Sequence, residues 1–538
     1  MSMNTKKKRI IKRLTIGVAT ILLVLITANI IIAWQAERYI RTHLEKATEE
    51  VNGGLYELRF GKINVDLLDG YLSAKDIEFR INTERYNQLK ETDSLPEVVG
   101  IISIKSLRLT GVNFKYTRKH GRKLGFRHLI IDRPELTLLP HPKEENKEAQ
   151  PKQRTPFASQ ALYDFISPYF DEFTISQVSL SRGSIFLLAG EGREIRPVAS
   201  LMGYGVEAEN FKVNSDRTLN NSVFFTDDIV FSFEELVVHS KGRFYDYFAG
   251  STTIDIGKGN VRINNAGFRS PISKWEFAKL HPTHADWFDL SIEEIELTGL
   301  DVKQLIDKQT AIADTLLANR VLLQNYKNGQ IPIEHNYMPM IYTVRQNLPF
   351  PFFVDYVHVS DMDIIYEELS ENEVNPGRVS VTDLDGVFLD YTNITTTPQQ
   401  TTTLYASGKL MDEGEMDAVI VLPVDPAYDR VEFKANMGIM NMISLNPIIE
   451  PMGPVKINGG FVQGLDLYID ASGEKAHIDM ALYYNDLSVK ILQDVGNGEK
   501  ADLGVLSFLA NSVLERNNPQ QGEAVRLINA QHIRDTLH

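Results

Sequence analysis

Apolar residues two apart, in pairs that recur every five residues, run along most of this chain. Ile102, Ile104, Leu107, Leu109, Val112 and Phe114 show the pattern in full. Leu58, Phe60, Ile63 and Val65 carry it first; Phe173, Ile175, Val178 and Leu180, then Phe231, Phe233, Leu236 and Val238, continue it. Leu290, Ile292, Ile295 and Leu297 repeat it, as do Val354, Val357, Val359, Met362 and Ile364. Residues two apart share one face of a strand, and a step of three would turn the chain over. A β-bulge at each step absorbs the extra residue, keeps the apolar set on one side and coils the strand. The spacing therefore predicts a curved antiparallel sheet with one oily face. The last third alternates more plainly, through Met416, Ala418, Ile420 and Leu422, then Val431, Phe433, Ala435 and Met437. Turns are expected at Gly459-Gly460 and Ser472-Gly473.

Helical spacing is rare. Leu305, Ile306, Ile312, Leu316, Leu317, Leu322 and Leu323 predict a helix over 303–327, stopped by Asn328-Gly329. A second is predicted over 503–516, and a third over 35–51, ending at Asn52-Gly53-Gly54. The Lys, Glu, Gln and Pro-rich stretch 140–160 reads as a polar linker. The Thr/Gln/Pro run 393–403 reads as an exposed turn.

Residues 14–34 contain no charge and follow Lys6, Lys7, Lys8, Arg9, Lys12 and Arg13. At ~1.5 Å per residue a helix over them spans about 30 Å, the thickness of a bilayer's hydrocarbon core. The flanking positive charge holds that end in the cytoplasm and sends the bulk of the chain across. A cleaved signal peptide and a buried core helix are the competing readings. The length of the run, with Trp34 closing it like an interfacial anchor, favours an uncleaved anchor.

Composition narrows the chemistry. Among 538 residues there is no cysteine, which removes disulfides, thiolate nucleophiles and thiolate metal sites. The net charge of −15 is spread along the chain, and no basic stripe beyond the N-terminus suits nucleic acid. His281 and His284 flank a proline, the wrong frame for a helical metal pair, and read as a loop. Asp383-Leu-Asp385-Gly386 echoes part of a calcium loop but lacks its other ligands, and reads as a turn. No nucleophile elbow, phosphate loop or dinucleotide fingerprint occurs. No catalytic residue, metal site or cofactor is assigned, and an enzyme is not expected.

An amphipathic sheet buries its apolar face against another layer. With so few helices, either the strands close into a sandwich or barrel, or the face stays open as a groove. A groove can hold an acyl chain without a charged anchor, since each buried CH₂ favours transfer by about 0.8 kcal/mol. Candidate groove residues are Ile102, Ile104, Leu107, Leu109, Phe173, Ile175, Phe231, Phe233, Leu290, Ile292, Val354, Val357, Val359 and Phe433. The aromatics around 224–248 and 350–353 serve either core packing or a groove wall.

The stretch 431–492 resembles the AsmA family of bacterial envelope proteins. It reads Phe433-Lys-Ala-Asn-Met, Ile443-Ser-Leu-Asn446-Pro447, Ile457-Asn-Gly459-Gly460, Leu465-Asp-Leu-Tyr-Ile and Tyr483-Tyr-Asn-Asp486-Leu. Ile365-Tyr-Glu-Glu368, Gly377-Arg-Val-Ser-Val and Thr392-Asn-Ile394 resemble the piece before it. The resemblance implies a mostly β, repeating-groove (β-taco) architecture on an inner-membrane anchor, with its bulk in the periplasm. It implies a phospholipid or other acyl lipid as partner, further envelope proteins as candidate partners, and a part in phospholipid transport or outer-membrane homeostasis. A closed scaffold or regulatory protein without lipid cargo is the alternative. The expected organisation is a basic tail (1–13), anchor (14–34), N-terminal AsmA-like β region (35–139), linker (140–160) and middle β-groove region (161–302). A helical insertion and loop (303–350), a C-terminal AsmA-like β domain (351–500) and a helix and tail (501–538) follow. The chain is short beside the family's long members, which counts against one molecule bridging the periplasm.

Overall fold

The computed structural model describes Arg38 and residues 53–533, apart from 142–166, 215–225, 281–284, 332–340, 503–513 and some shorter stretches. The expected anchor, most of the 140–160 linker, the His281/His284 pair and, but for Arg38 and 514–516, the helices over 35–51 and 503–516 lie outside the described residues; Arg38 is helical and 514–516 are not.

The chain divides into two units, 1–236 with 255–257, and 237–254 with 258–538. The first holds β1 (Tyr56–Asp66), β2 (Tyr71–Ile81), β3 (Val98–Thr110), β4 (Asn113–Thr117), β5 (Gly121–Pro140), β6 (Glu172–Ala189), β7 (Arg196–Asn214) and β8 (Asp228–Phe233). β9 (Glu235–His239) and β11 (Thr252–Asp255) fall at the division, with β10 (Asp246–Ala249) between them. The second unit continues with β12 (Asn260–Arg269), β13 (Trp287–Thr298), β14 (Ala311–Asn328), β15 (Phe352–Leu369), β16 (Gly377–Thr392), β17 (Thr401–Leu410) and β18 (Gly414–Pro423). It ends with β19 (Val431–Met437), β20 (Met440–Asn441), β21 (Val455–Ala471), β22 (Lys475–Gly496), β23 (Glu499–Asp502) and β24 (Leu527–Ile533). The protein is mostly β, as its spacing predicts.

Most neighbouring strands are antiparallel, but among the described residues two pairs are parallel, which corrects the expectation of a purely antiparallel sheet. β5 pairs with β6, and β14 with β15, in parallel. A parallel pair needs a crossover of a dozen or more residues. The polar stretch after Pro140 is one such crossover, and the chain between Asn328 and Phe352 is the other.

The steps of three are met in two ways, by kinks matched across neighbouring strands and, elsewhere, by the expected bulges. In β1, β2, β3 and β5 the register runs unbroken through Phe60↔Ile77, Ile77↔Ile104 and Ile104↔Pro134 to Lys62↔Lys75, Lys75↔Ser106 and Ser106↔Asp132. Each of these four strands is kinked in the same transverse row, so none of them slips against its neighbour. A lone bulge would shift the next strand by one residue and throw its apolar set to the other face. Asp76, Arg133 and Arg182 sit in this row with φ of 49°, 48° and 57°. The second unit repeats the device at Asn265 and Arg320, with φ of 62° and 52°. At Asp361 and Asp383, with φ of 52° and 49°, the register with the following strand shifts, as it does between β6 and β7 beside Arg182, and the step is a bulge. These left-handed residues supply the turn that a regular strand cannot make.

The helix predicted over 303–327 is corrected. Only Val302–Lys308 is helical, capped by Asp301 and ended by Gln309 in the left-handed region (φ 55°), and Ala311–Asn328 is strand. Leu316, Ala318, Val321 and Leu323 carry the same kinked-strand spacing, masked by Leu317 and Leu322 on the opposite face. Pairing on both sides overrides local helix propensity. Gly459-Gly460 is not a turn but lies inside β21, where the register with β22 shifts and Gly460 adopts φ 131°. Asp383-Leu-Asp385 lies inside β16, and Thr401–Thr403 already belongs to β17. Two further helices, Thr83–Glu91 and Lys274–Leu280, have no apolar periodicity to announce them; the first is set by its Asn82 cap, whose side chain accepts from the Arg85 N–H.

Candidate functional site

The kinked rows align apolar side chains across each unit. In the first, Ile63, Ala74, Leu107, Ile131, Leu180, Val206 and Phe231 stand opposite one another on successive strands. On the other side of the kinks, Leu58, Phe79, Ile102, Leu136, Ile185 and Leu201 form a second row. Ile63, Ala74 and Leu107 pack in one cluster with Phe60, Ile77 and Ile104, so both sides of the kink share a face.

The second unit carries a longer row. It passes through Val261, Leu297, Leu316, Val357 and Phe388. It continues through Leu404, Ile420, Phe433, Ile469 and Ile478 to Ala530 on β24. Val359 belongs to the parallel row of Ile263, Ile295 and Ala318, and Leu290 to that of Phe268, Leu323 and Ile364.

The candidate residues differ in how well their own chain covers them. Ile175, Phe233, Val354 and Val357 are buried, Ile102 is exposed, and the remainder are half-buried. Val354 and Val357 belong to a cluster with Ala313 and Phe352, against which Leu297, Leu316, Phe388 and Tyr391 pack. Phe173 touches Phe126 and Phe211, and Phe231 touches Tyr204 and Phe233.

The kink residues themselves face water and pair along their row. Asp76 meets Lys105 at 2.5 Å, and Asp383 meets Lys409 at 2.7 Å. Arg320 pairs with Glu293 on the adjacent strand, opposite Asp361 on the other. Asp132 accepts from Arg182 at 2.9 Å and Arg133 at 3.4 Å. Burial pushes the Asp132 carboxyl up, but the two guanidinium groups outweigh it and hold it below the ordinary carboxylate range. Glu172, at the parallel joint, is likewise raised by burial and pulled below that range by Lys123 (3.0 Å) and Lys212 (3.1 Å). This charge seam was not legible in the sequence, because its residues meet only through register. A signal was present, however, in the polar dipeptide that separates every two apolar pairs.

Among the described residues no group of three or more His, Asp or Glu could hold a metal, and no helix is long and apolar enough to cross a membrane. What the described residues bring together is apolar contact and surface charge. No known family's sequence model matches the chain, and no curated protein matches it. A solved structure, the crystal structure of a sex pheromone staph-cAM373 precursor, aligns over 63% of this chain and 85% of its own at 10% identity, with a TM-score of 0.11. That likeness carries no argument about fold or function.

Proposed function

We propose that this chain is an AsmA-like, membrane-anchored envelope protein whose apolar sheet face holds lipid acyl chains during phospholipid movement or outer-membrane maintenance. One observation carries the proposal: unbroken apolar rows cross strand after strand, and most of their candidate residues keep part of their surface uncovered by the chain itself. Tails lie against the rows and headgroups stay with the water, with no covalent step. The basic flank and uncharged run at 6–34 support anchoring to a bacterial inner membrane with the bulk of the chain in the periplasm. The test is mass spectrometry of residues 53–538 purified without detergent. Co-purified lipid that exchanges with added vesicles is expected, and a lipid-free protein that takes up none overturns the proposal.

The burial of Val354 and Val357 within their own cluster favours a second reading, a closed β scaffold that tethers an envelope assembly. Under it the rows are core, and the same measurement finds no lipid.

A further inference from the structure

Among the described residues, Arg345 buries its guanidinium without a counter-charge. Arg345 lies on the short helix Ile341–Gln346 and is 4% exposed. Its Nη2 donates to the Pro423 carbonyl, while Nε and Nη1 have no acceptor. The guanidinium carbon lies over the Tyr391 ring, 5.5 Å from its centroid. Asp429, which meets the preceding part of the helix through Tyr342, accepts from the Tyr342 hydroxyl and the Gly473 N–H. Burial works against the Arg345 charge and lowers its pKa, yet so strong a base remains protonated at neutral pH. A buried charge with unmet donors is among the costliest arrangements a fold can keep, and it is ordinarily paired.

Its position suggests the missing partner. Tyr391 stands opposite Val354 on the neighbouring strand and touches Phe352 (5.4 Å) and Phe388 (4.8 Å). The guanidinium therefore sits at the margin of the apolar cluster that contains Val354 and Val357. Leu348 and Phe350, a few residues on, expose 43% and 41% of their surface. We propose that Arg345 anchors an anion site, taking the phosphate or carboxylate head of an amphiphile whose tail lies on the apolar face beside Val354, Phe388 and Tyr391. The proposal rests on the acyl-chain reading above and narrows it to anionic headgroups, which a guanidinium matches in shape and charge.

The test titrates the full chain, in neutral detergent, with dioleoyl phosphatidate, with dioleoylglycerol and with inorganic phosphate alone. Phosphatidate is expected to bind about tenfold or more tightly than dioleoylglycerol, and Arg345→Gln to abolish that preference while leaving dioleoylglycerol binding unchanged. Arg345→Lys is expected to keep part of the preference. Arg345→Met, which removes an unpaired charge at similar volume, is expected to melt no lower than the parent without ligand. An Arg345→Met protein melting several degrees lower would show a guanidinium already satisfied, and would overturn the proposal. Equal preference in parent and Arg345→Gln would do the same. Inorganic phosphate raising the melting point as far as phosphatidate does would assign the site to a free anion and overturn the amphiphile. Equal binding of both lipids by the parent sinks only the Arg345 assignment, whereas binding of neither sinks the acyl-chain reading itself.

Discussion

An aspartate placed in the apolar rows separates a surface that receives guests from a sealed interior. Leu107 and Val357 both lie in such rows, but Leu107 is half-buried and Val357 only 5% exposed. Fully burying a leucine is worth about 1.5–3 kcal/mol, so Leu107→Asp forfeits roughly 1 kcal/mol of transfer energy. Its carboxylate can still reach water, and the total loss is expected at about 1–2 kcal/mol. At Val357 the carboxylate is shut in, and breaking an interior with an unpaired charge costs about 3–5 kcal/mol or more. Leu107→Asp is therefore expected to fold and Val357→Asp to fail or unfold at much lower urea. The binding cost runs the other way. A carboxylate in the path of an acyl chain displaces about three CH₂ groups, about 2.4 kcal/mol, or some fiftyfold in affinity. Urea unfolding followed by circular dichroism, with displacement of a fluorescent fatty acid, reads both quantities. A Leu107→Asp protein that unfolds like Val357→Asp would refute the reasoning, as would one that binds the fatty acid undiminished.

Three further outcomes are expected. Glu172 has a folded-state pKa below its unfolded value, so its stabilisation is complete above the unfolded value of about 4.3 and drains as pH falls through the folded one. Glu172→Gln should cost about 1 kcal/mol at pH 7 and progressively less as the pH is lowered below about 4, a narrowing that urea midpoints across that range would reveal or deny. Asn446 is buried and exchanges two 2.8 Å hydrogen bonds with the Ile457 backbone, pinning the helix Asn446–Met452 to β21. Asn446→Leu strands both backbone groups and should lose about 1–3 kcal/mol, visible in thermal melts. Arg320, left-handed at φ 52°, should tolerate Gly within about 1 kcal/mol but lose about 1–2 kcal/mol to Val, and equal stability of the two variants would argue against a required kink.

The strand content and the shared face were legible because a step of three between apolar pairs has few physical solutions. Which solution holds was not legible. Whether the step at Ser106 is a bulge or a kink depends on what lies across from it, and Asp132 stands 26 residues further along. The same limit explains the misread 303–327 segment. Leu317 and Leu322 complete a helical stripe locally, and only pairing with β13 and β15 makes that stretch a strand. The parallel joints were equally hidden, since a polar linker does not announce the direction of the strand that follows it. Nothing in the sequence singles out Arg345, and its surroundings emerge only when Pro423 and Tyr391 close around it.

Matched kinks also bear on how such a protein can change over generations. Where the register runs unbroken, as through β1, β2, β3 and β5 or β12, β13 and β14, a hairpin deleted or copied carries its own bend at the same height, so the flanking strands meet again without offset. Duplication can therefore lengthen or shorten the molecule in whole hairpins while leaving untouched the side-chain alternation on which everything else depends.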